Sequence, residues 1–263
     1  MRFSTFFLFR RGLVGSALVA LTLQVLCAGN FAQAAPATMD GKRKISYELN
    51  EKGVAALVSK DFERAEKLFR ESLAADSGNL TAAYNLASAY VTNGKLDQAV
   101  VLLKEYTARY DRDPGLFVRL GDAYFAKKDL DQARINYQKA YELSPKYEMV
   151  TTKLGTIYSL QKDLPKAEEF YLQAVEQNPR DYQLLVNLSS VFLANGKPEK
   201  AISTAKRGLQ VKSTSELYVT LGSAYETVED LKNSLIAYKR ARDLGGTRPE
   251  LDDKIEQLED QLS

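Results

Sequence analysis

Between residues 46 and 248 apolar positions return at the spacing of one helix face, break at a short polar pair, and return again. Leu120 and Tyr124 mark one face. After Lys128-Asp129, Leu130, Ala133 and Tyr137 mark the next. The same breaks fall at Gly94-Lys95, Lys162-Asp163, Gly196-Lys197 and Glu229-Asp230. The pattern predicts pairs of helices joined by tight turns. It also repeats in its letters: LASAYVTNGKLDQA begins at Leu86, LGDAYFAKKDLDQA at Leu120, LGTIYSLQKDLPKA at Leu154, LSSVFLANGKPEKA at Leu188 and LGSAYETVEDLKNS at Leu221. A fixed period near 34 residues signals a helix-turn-helix repeat. One such pair cannot bury its apolar face alone, whereas stacked pairs can. Small residues recur where paired helices must approach, so Gly121 is expected to face Ala133, and Gly155 to face Ala167.

These segments resemble the tetratricopeptide repeat family. Its pattern of a large residue, Leu-Gly, Tyr, Ala, aromatic, Ala and Pro is carried in residues 114–147 by Phe117, Leu120-Gly121, Tyr124, Ala133, Tyr137, Ala140 and Pro145. Residues 148–181 carry it as Leu154-Gly155, Tyr158, Ala167, Tyr171, Ala174 and Pro179. Related units span 80–113, 182–214 and 215–248, and a more degenerate first unit spans 46–79, with Leu49, Gly53, Ala65 and Phe69. The resemblance implies an all-α, right-handed α-solenoid of about six helix-turn-helix units. In it Tyr90, Tyr124, Tyr158 and Tyr225 hold the family's core position and are expected to pack.

The ends read differently. Residues 249–263 place Leu251, Ile255, Leu258 and Leu262 on one face and acids on the others, the pattern of a C-terminal capping helix; Thr247-Arg248-Pro249-Glu250 has capping-box spacing. Residues 1–34 combine Arg2, Arg10 and Arg11, an apolar run from Gly12 to Ala28, and Ala32-Gln33-Ala34. Those are the three parts of a secretory signal peptide cleaved after Ala34. The expected location is the bacterial periplasm; the alternative is a membrane anchor formed by an uncleaved signal. Gly12-Leu13-Val14 fits a twin-arginine address poorly, and Val25-Leu26 before Cys27 fits a lipid signal poorly. Residues 35–45, with Lys42-Arg43-Lys44, read as a flexible linker.

Composition narrows the chemistry. The 263 residues include no His and one Cys, which excludes His-based catalytic triads, His-ligated zinc and an intrachain disulfide. Without the leader's three arginines, 33 basic residues face 34 acidic ones, so a general affinity for nucleic acid is not implied. Loss of Cys27 with the leader suits an oxidising compartment. Asp111-Arg112-Asp113 opens like a calcium loop but lacks the later Gly and Glu, and is read as a turn. No metal, cofactor or catalytic residue is expected.

The resemblance also implies a concave groove, lined by the first helix of each pair, that binds peptide or protein segments. Two positions per unit point into it. One column is Glu51, Asn85, Arg119, Lys153, Asn187 and Thr220; the other is Val54, Ser88, Asp122, Thr156, Ser190 and Ser223. The candidate site residues are Asn50, Tyr84, Asn85, Ser88, Arg119, Asp122, Lys153, Thr156, Asn187 and Ser190. Arg119 and Lys153 suggest a partner carrying an acidic or C-terminal carboxylate group. Of the family's carboxylate-clamp positions, here Asn50, Val54, Asn85, Gly115 and Arg119, only Asn85 and Arg119 agree with the clamp. The expected function is a non-catalytic interaction scaffold in the cell envelope. The alternative is an assembly factor resembling type IV pilus pilotins. An enzyme or carbohydrate-binding protein using the groove is disfavoured; Asp122 with Glu51 or Glu226 would be its acid pair, but the resemblance places them on distant units, beyond the roughly 5–10 Å of a two-carboxylate mechanism.

Overall fold

The structure, a computed structural model, describes residues 40–263 apart from 148 and 246–248. The expected leader and residues 35–39 lie outside the described residues, as does Thr247-Arg248 of the expected capping box. All regular elements among the described residues are α-helices: α1 (Gly41–Val58), α2 (Phe62–Ala75), α3 (Leu80–Thr92), α4 (Leu96–Arg109), α5 (Pro114–Ala126), α6 (Leu130–Leu143), α7 (Val150–Leu160), α8 (Leu164–Gln177), α9 (Tyr182–Ala194), α10 (Pro198–Val211), α11 (Ser215–Thr227), α12 (Leu231–Asp243) and α13 (Pro249–Leu262). None is long and apolar enough to cross a membrane. The chain divides between Leu143 and Ser144 into two compact units, α1–α6 and α7–α13. Within each, consecutive helices pack on one another in the manner of an all-α repeat solenoid.

The turns within pairs follow the sequence period. Lys60, Gly94, Lys128, Lys162, Gly196 and Glu229 each take a positive φ, between 60° and 73°. One left-handed residue at that point reverses the chain directly into the next helix. The helix starts are capped in the same periodic way. Asp61, Asn79, Asp113, Asp163, Asp181 and Asp230 each accept a backbone N–H of the first turn. Asp113, the last residue of the calcium-like triplet, is therefore an N-cap.

The packing of each pair turns on a glycine, but not against the alanine the sequence suggests. A Cβ built on Gly121 would lie 2.5 Å from the Tyr137 ring, one on Gly155 3.0 Å from Tyr171, and one on Gly222 2.7 Å from Tyr238. Gly53 faces Phe69 at 2.5 Å in the same way. The missing side chain seats an aromatic ring from the second helix. Ala133 and Ala167 are buried nearby, yet the rings supply the nearest atoms. Where the second helix brings Leu103 instead of a ring, the first helix carries Ala87. Where it brings Ala205, the first helix carries Ser189. Volumes are thus matched pair by pair.

Two further features join neighbouring pairs. Glu66 on α2 meets Lys95 at 2.5 Å, and Glu168 on α8 meets Lys197 at 2.7 Å. Both lysines follow an Asn-Gly turn in the next repeat. Glu168 is nearly buried and also accepts from Asn195 at 2.7 Å. Burial pushes its carboxyl pKa up, but the hydrogen bonds from Lys197 and Asn195 and the charges of Lys197 and Lys200 outweigh burial and hold it below the usual value. At the C-terminus, α13 lays Leu251, Ile255 and Leu258 on Tyr238 and Ala241. Lys254 reaches Glu226 at 2.7 Å, and Lys239 reaches Glu259 at 2.6 Å.

Residues 41–45 are not linker. They form the first turn of α1. The Ser46 and Ser72 hydroxyls lie 2.9 Å apart in the core, and Asn79 donates to Ser46 at 2.8 Å. With Ser46 locked, the helix extends back one hydrogen bond per residue, taking Lys42-Arg43-Lys44 with it.

Gly121→Ala should cost about 1–3 kcal/mol in urea unfolding, the range for overpacking. Adding Tyr137→Leu, which recreates the Ala87/Leu103 pair, should recover part of that loss. If the two changes simply add, ring seating is not the constraint. Glu168→Gln should destabilise the protein at pH 7. Because the folded carboxyl pKa is depressed, the gap from wild type should close as pH falls from above about 4.3 through the folded value. An unchanged gap between pH 7 and pH 3 would contradict the ion-pair role.

Candidate functional site

In the first unit the first helices of the pairs, α1, α3 and α5, present one polar face. Its residues are more occupied internally than their sequence suggests. Asn50 is only 2% exposed, and its Oδ1 accepts from Asn85 Nδ2 at 2.9 Å. It is a buried link between α1 and α3 and does not offer itself to a ligand. The cause is position: it lies on the side of α1 that meets the next pair. Asn85 remains half-buried on the face.

Tyr84 does lie here, tied down at both ends. Its hydroxyl donates to Asp113 Oδ1 at 2.5 Å, the same oxygen that caps α5 by accepting Leu116 N–H at 3.1 Å. Over its ring stands the Arg119 guanidinium, 4.1 Å from the centroid. Arg119 Nη1 makes a long 3.4 Å bond to the Gly115 carbonyl. Its Nε is buried without a hydrogen-bond partner, and no carboxylate lies within ion-pair distance among the described residues. A guanidinium has five N–H donors. This one is therefore oriented by an aromatic ring while most of its donors remain uncommitted. The Asp113 cap that steadies Tyr84 was readable as a turn signal; its bond to Tyr84 was not.

The second column of expected groove residues has an internal explanation. Val54, Asp122, Thr156 and Ser223 each follow a ring-seating glycine, and so stand beside the tip of the seated ring; Ser88 and Ser190 follow Ala87 and Ser189 instead. Tyr137 donates to Asp122 at 2.6 Å. The Tyr171 and Thr156 hydroxyls lie 2.9 Å apart, as do those of Tyr238 and Ser223. Tyr238 also donates to Glu226 at 2.6 Å. Where the ring is Phe69, with no hydroxyl, the column holds Val54. Burial raises all three tyrosines, Tyr171 to about 12, and at Tyr137 and Tyr238 the charges of Asp122 and Glu226 add to the rise. Asp122 and Glu226, the acid pair that the sequence disfavours, each serve a tyrosine.

In the second unit Lys153 and Asn187 are half-buried on α7 and α9. Ser190 Oγ lies 3.4 Å from Thr220 Oγ1, and Thr220 itself is buried. Ser88, on the first unit's face, is half-buried and has Leu103 rather than a tyrosine at the matching ring position. The core tyrosines behave as expected: Tyr90, Tyr124 and Tyr158 are buried, and Tyr225 packs on the core around Leu221. Among the described residues, no group of three or more His, Cys, Asp or Glu side chains is placed to hold a metal.

Three family profiles, each described as tetratricopeptide repeat, match residues 56–117, 115–180 and 170–203. No curated protein matches the chain in sequence. Among solved structures, pilF of Pseudomonas aeruginosa superposes with a TM-score of 0.69 at 15% identity, over 84% of this chain and 100% of its own. YrrB, a TPR protein with an unusual peptide-binding site, gives 0.65 at 16% identity, over 72% and 97%. MamA AMB-1 gives 0.58 at 21% identity, over 67% and 98%. At these identities the likeness is one of fold.

Asp122→Ala should cost about 1–3 kcal/mol by leaving the Tyr137 hydroxyl buried without its acceptor. Ser88→Ala, which has no hydroxyl to serve, should cost less than about 0.5 kcal/mol. Equal losses in thermal or urea unfolding would show that the column does not exist to satisfy the rings.

Proposed function

The chain belongs to the tetratricopeptide repeat family, a family of non-catalytic interaction scaffolds, and from that premise we propose that the α1–α3–α5 face binds a protein or peptide segment through an acidic or C-terminal carboxylate. The observation that carries the reading is Arg119. Its guanidinium is planted on the Tyr84 ring, Tyr84 is pinned by Asp113, and among the described residues no carboxylate pairs with the charge, while its Nε is buried without a hydrogen-bond partner. A guanidinium held in place loses little freedom when a carboxylate arrives, and its paired N–H groups match two carboxylate oxygens. Asn85 stands on the preceding first helix, where a half-buried amide suits an extended backbone. Asp122, one turn beyond Arg119, is engaged by Tyr137 and so competes less for the cation.

We place this scaffold in the bacterial cell envelope. The support is the leader-like pattern of residues 1–34 and the loss of the lone Cys with it. A role as a pilus assembly factor is the second reading. It is favoured by the match to the full length of pilF and weakened by the residues before Cys27, which do not suit lipidation.

The test is binding of an array of random C-terminal peptides to the full chain, each peptide as free acid beside its amide. The free acids should bind about tenfold more tightly, and Arg119→Glu should erase the difference without changing the helical CD spectrum. Lys153→Glu reports separately on the second unit. Equal binding of acids and amides, or an Arg119→Glu variant that still discriminates between them, would refute the carboxylate reading. N-terminal sequencing of the protein recovered from envelope fractions should begin at Ala35. Recovery of an intact Met1 would refute cleavage.

A further inference from the structure

Repeats four and five of the chain differ at more than the ring seat, and one of the differences opens a cleft. In repeat four, Phe170 on α8 stacks on Tyr158 of α7, with centroids 5.5 Å apart and planes within 6°. One period later the same two positions hold Thr204 on α10 and Phe192 on α9. The second ring is missing, and a small hydroxyl stands in its place. A cleft of about 500 Å³ lies there between α8 and α10, within the usual span of ligand clefts. Phe192 and Thr204 line its floor, and Leu172, 39% exposed, lines its α8 wall. The rim is polarised. Lys200 and Arg207 stand on the α10 side, and Glu176 stands on the α8 side. Neither cation has a carboxylate within ion-pair distance among the described residues, and the Lys200 ammonium sits 5.5 Å from the Phe192 centroid.

We propose that this cleft receives an aromatic side chain of a partner polypeptide, with an acidic residue beside it that pairs with Arg207 or Lys200. The chain supplies its own precedent for the occupant, since Phe170 shows which group fills this position when it is filled from within. A planar ring entering over Phe192 restores the stacked pair and removes Leu172 from water. The charge distribution sets the orientation: the partner's carboxylate lies toward α10, away from Glu176. This site is separate from the Arg119 face. It lies wholly in the second unit, walled by the second helices α8 and α10 over Phe192 of α9, so the two readings stand or fall independently.

The protein contains no tryptophan, which makes a tryptophan probe directly visible. The peptide acetyl-Asp-Glu-Trp-Glu-Asp-amide, titrated with the full chain, should show a saturable blue shift in emission that weakens with added salt. Thr204→Phe places the repeat-four ring in the cleft and should reduce affinity at least about tenfold, with its helical melt retained. Arg207→Glu changes an exposed side chain, so it tests the rim even if Thr204→Phe folds poorly. It should weaken binding about fivefold. Arg119→Glu should leave the titration unchanged. The proposal is overturned by absence of a shift at millimolar protein, by wild-type affinity in the Arg207→Glu or folded Thr204→Phe variant, or by loss of binding in Arg119→Glu. The last outcome would put the peptide on the first-unit face.

Discussion

The seating of one large side chain against one absent side chain is the constraint on which four of the six repeats depend. Gly53, Gly121, Gly155 and Gly222 let Phe69, Tyr137, Tyr171 and Tyr238 lie directly on the first helix of their own pair. The rings are nearly or wholly buried, and burying a ring brings a large apolar gain. The gain is available only if the facing backbone yields the space. Hence the compensation in repeats two and five, where Leu103 faces Ala87, and Ala205 is matched by Ser189. In repeat five the slack is taken up elsewhere, with Leu217 lying where a Cβ on Gly208 would come within 2.8 Å of it.

Polar chemistry follows from that apolar fit. A tyrosine in this seat carries its hydroxyl into a place with little water, where an unmet donor is costly. The residue after the glycine meets it: Asp122, Thr156 or Ser223. A column of polar side chains at helical spacing thus arises from internal need. This bears on how the interaction face is read. Polarity along the first helices marks a ligand site only where internal partners are insufficient to explain it. Arg119 meets that condition among the expected residues of the first unit. Asn50, buried against Asn85, does not.

The same logic locates the second-unit cleft. Exact repetition of repeat four would have closed it with a phenylalanine over Phe192. Departure from repeat four at Thr204 leaves Phe192 nearly buried beneath an opening rimmed by Lys200, Arg207 and Glu176. In a repeat protein the shared positions explain stability, and a ring that one repeat covers and the next leaves open is a place to seek function.

Much of the architecture was legible from letter order. The 34-residue period, the alternating helix faces and the polar turns specify helix pairs, because both local signals, periodicity and turn chemistry, act over a few residues. The leucines of residues 249–263 likewise predict a helix with one apolar side, seen with Leu251, Ile255 and Leu258 buried, whereas Leu262, in its last turn, stays exposed. What the letters could not convey is which side chains fill the space left by a glycine. Gly121 and Ala133 look like natural neighbours in sequence, yet the ring of Tyr137 is what approaches the glycine. Nor could they separate Arg119, stacked and uncommitted, from Asn50, buried and paired, since both occupy polar positions on first helices. The start of α1 is hidden from the letters for a related reason: Lys42-Arg43-Lys44 suits coil or helix equally in water, and the buried Ser46–Ser72 contact across two helices decides it. Local backbone geometry is encoded over one or two turns of chain, whereas packing partners 15 to 30 residues apart are selected by volume and hydrogen-bond need in three dimensions.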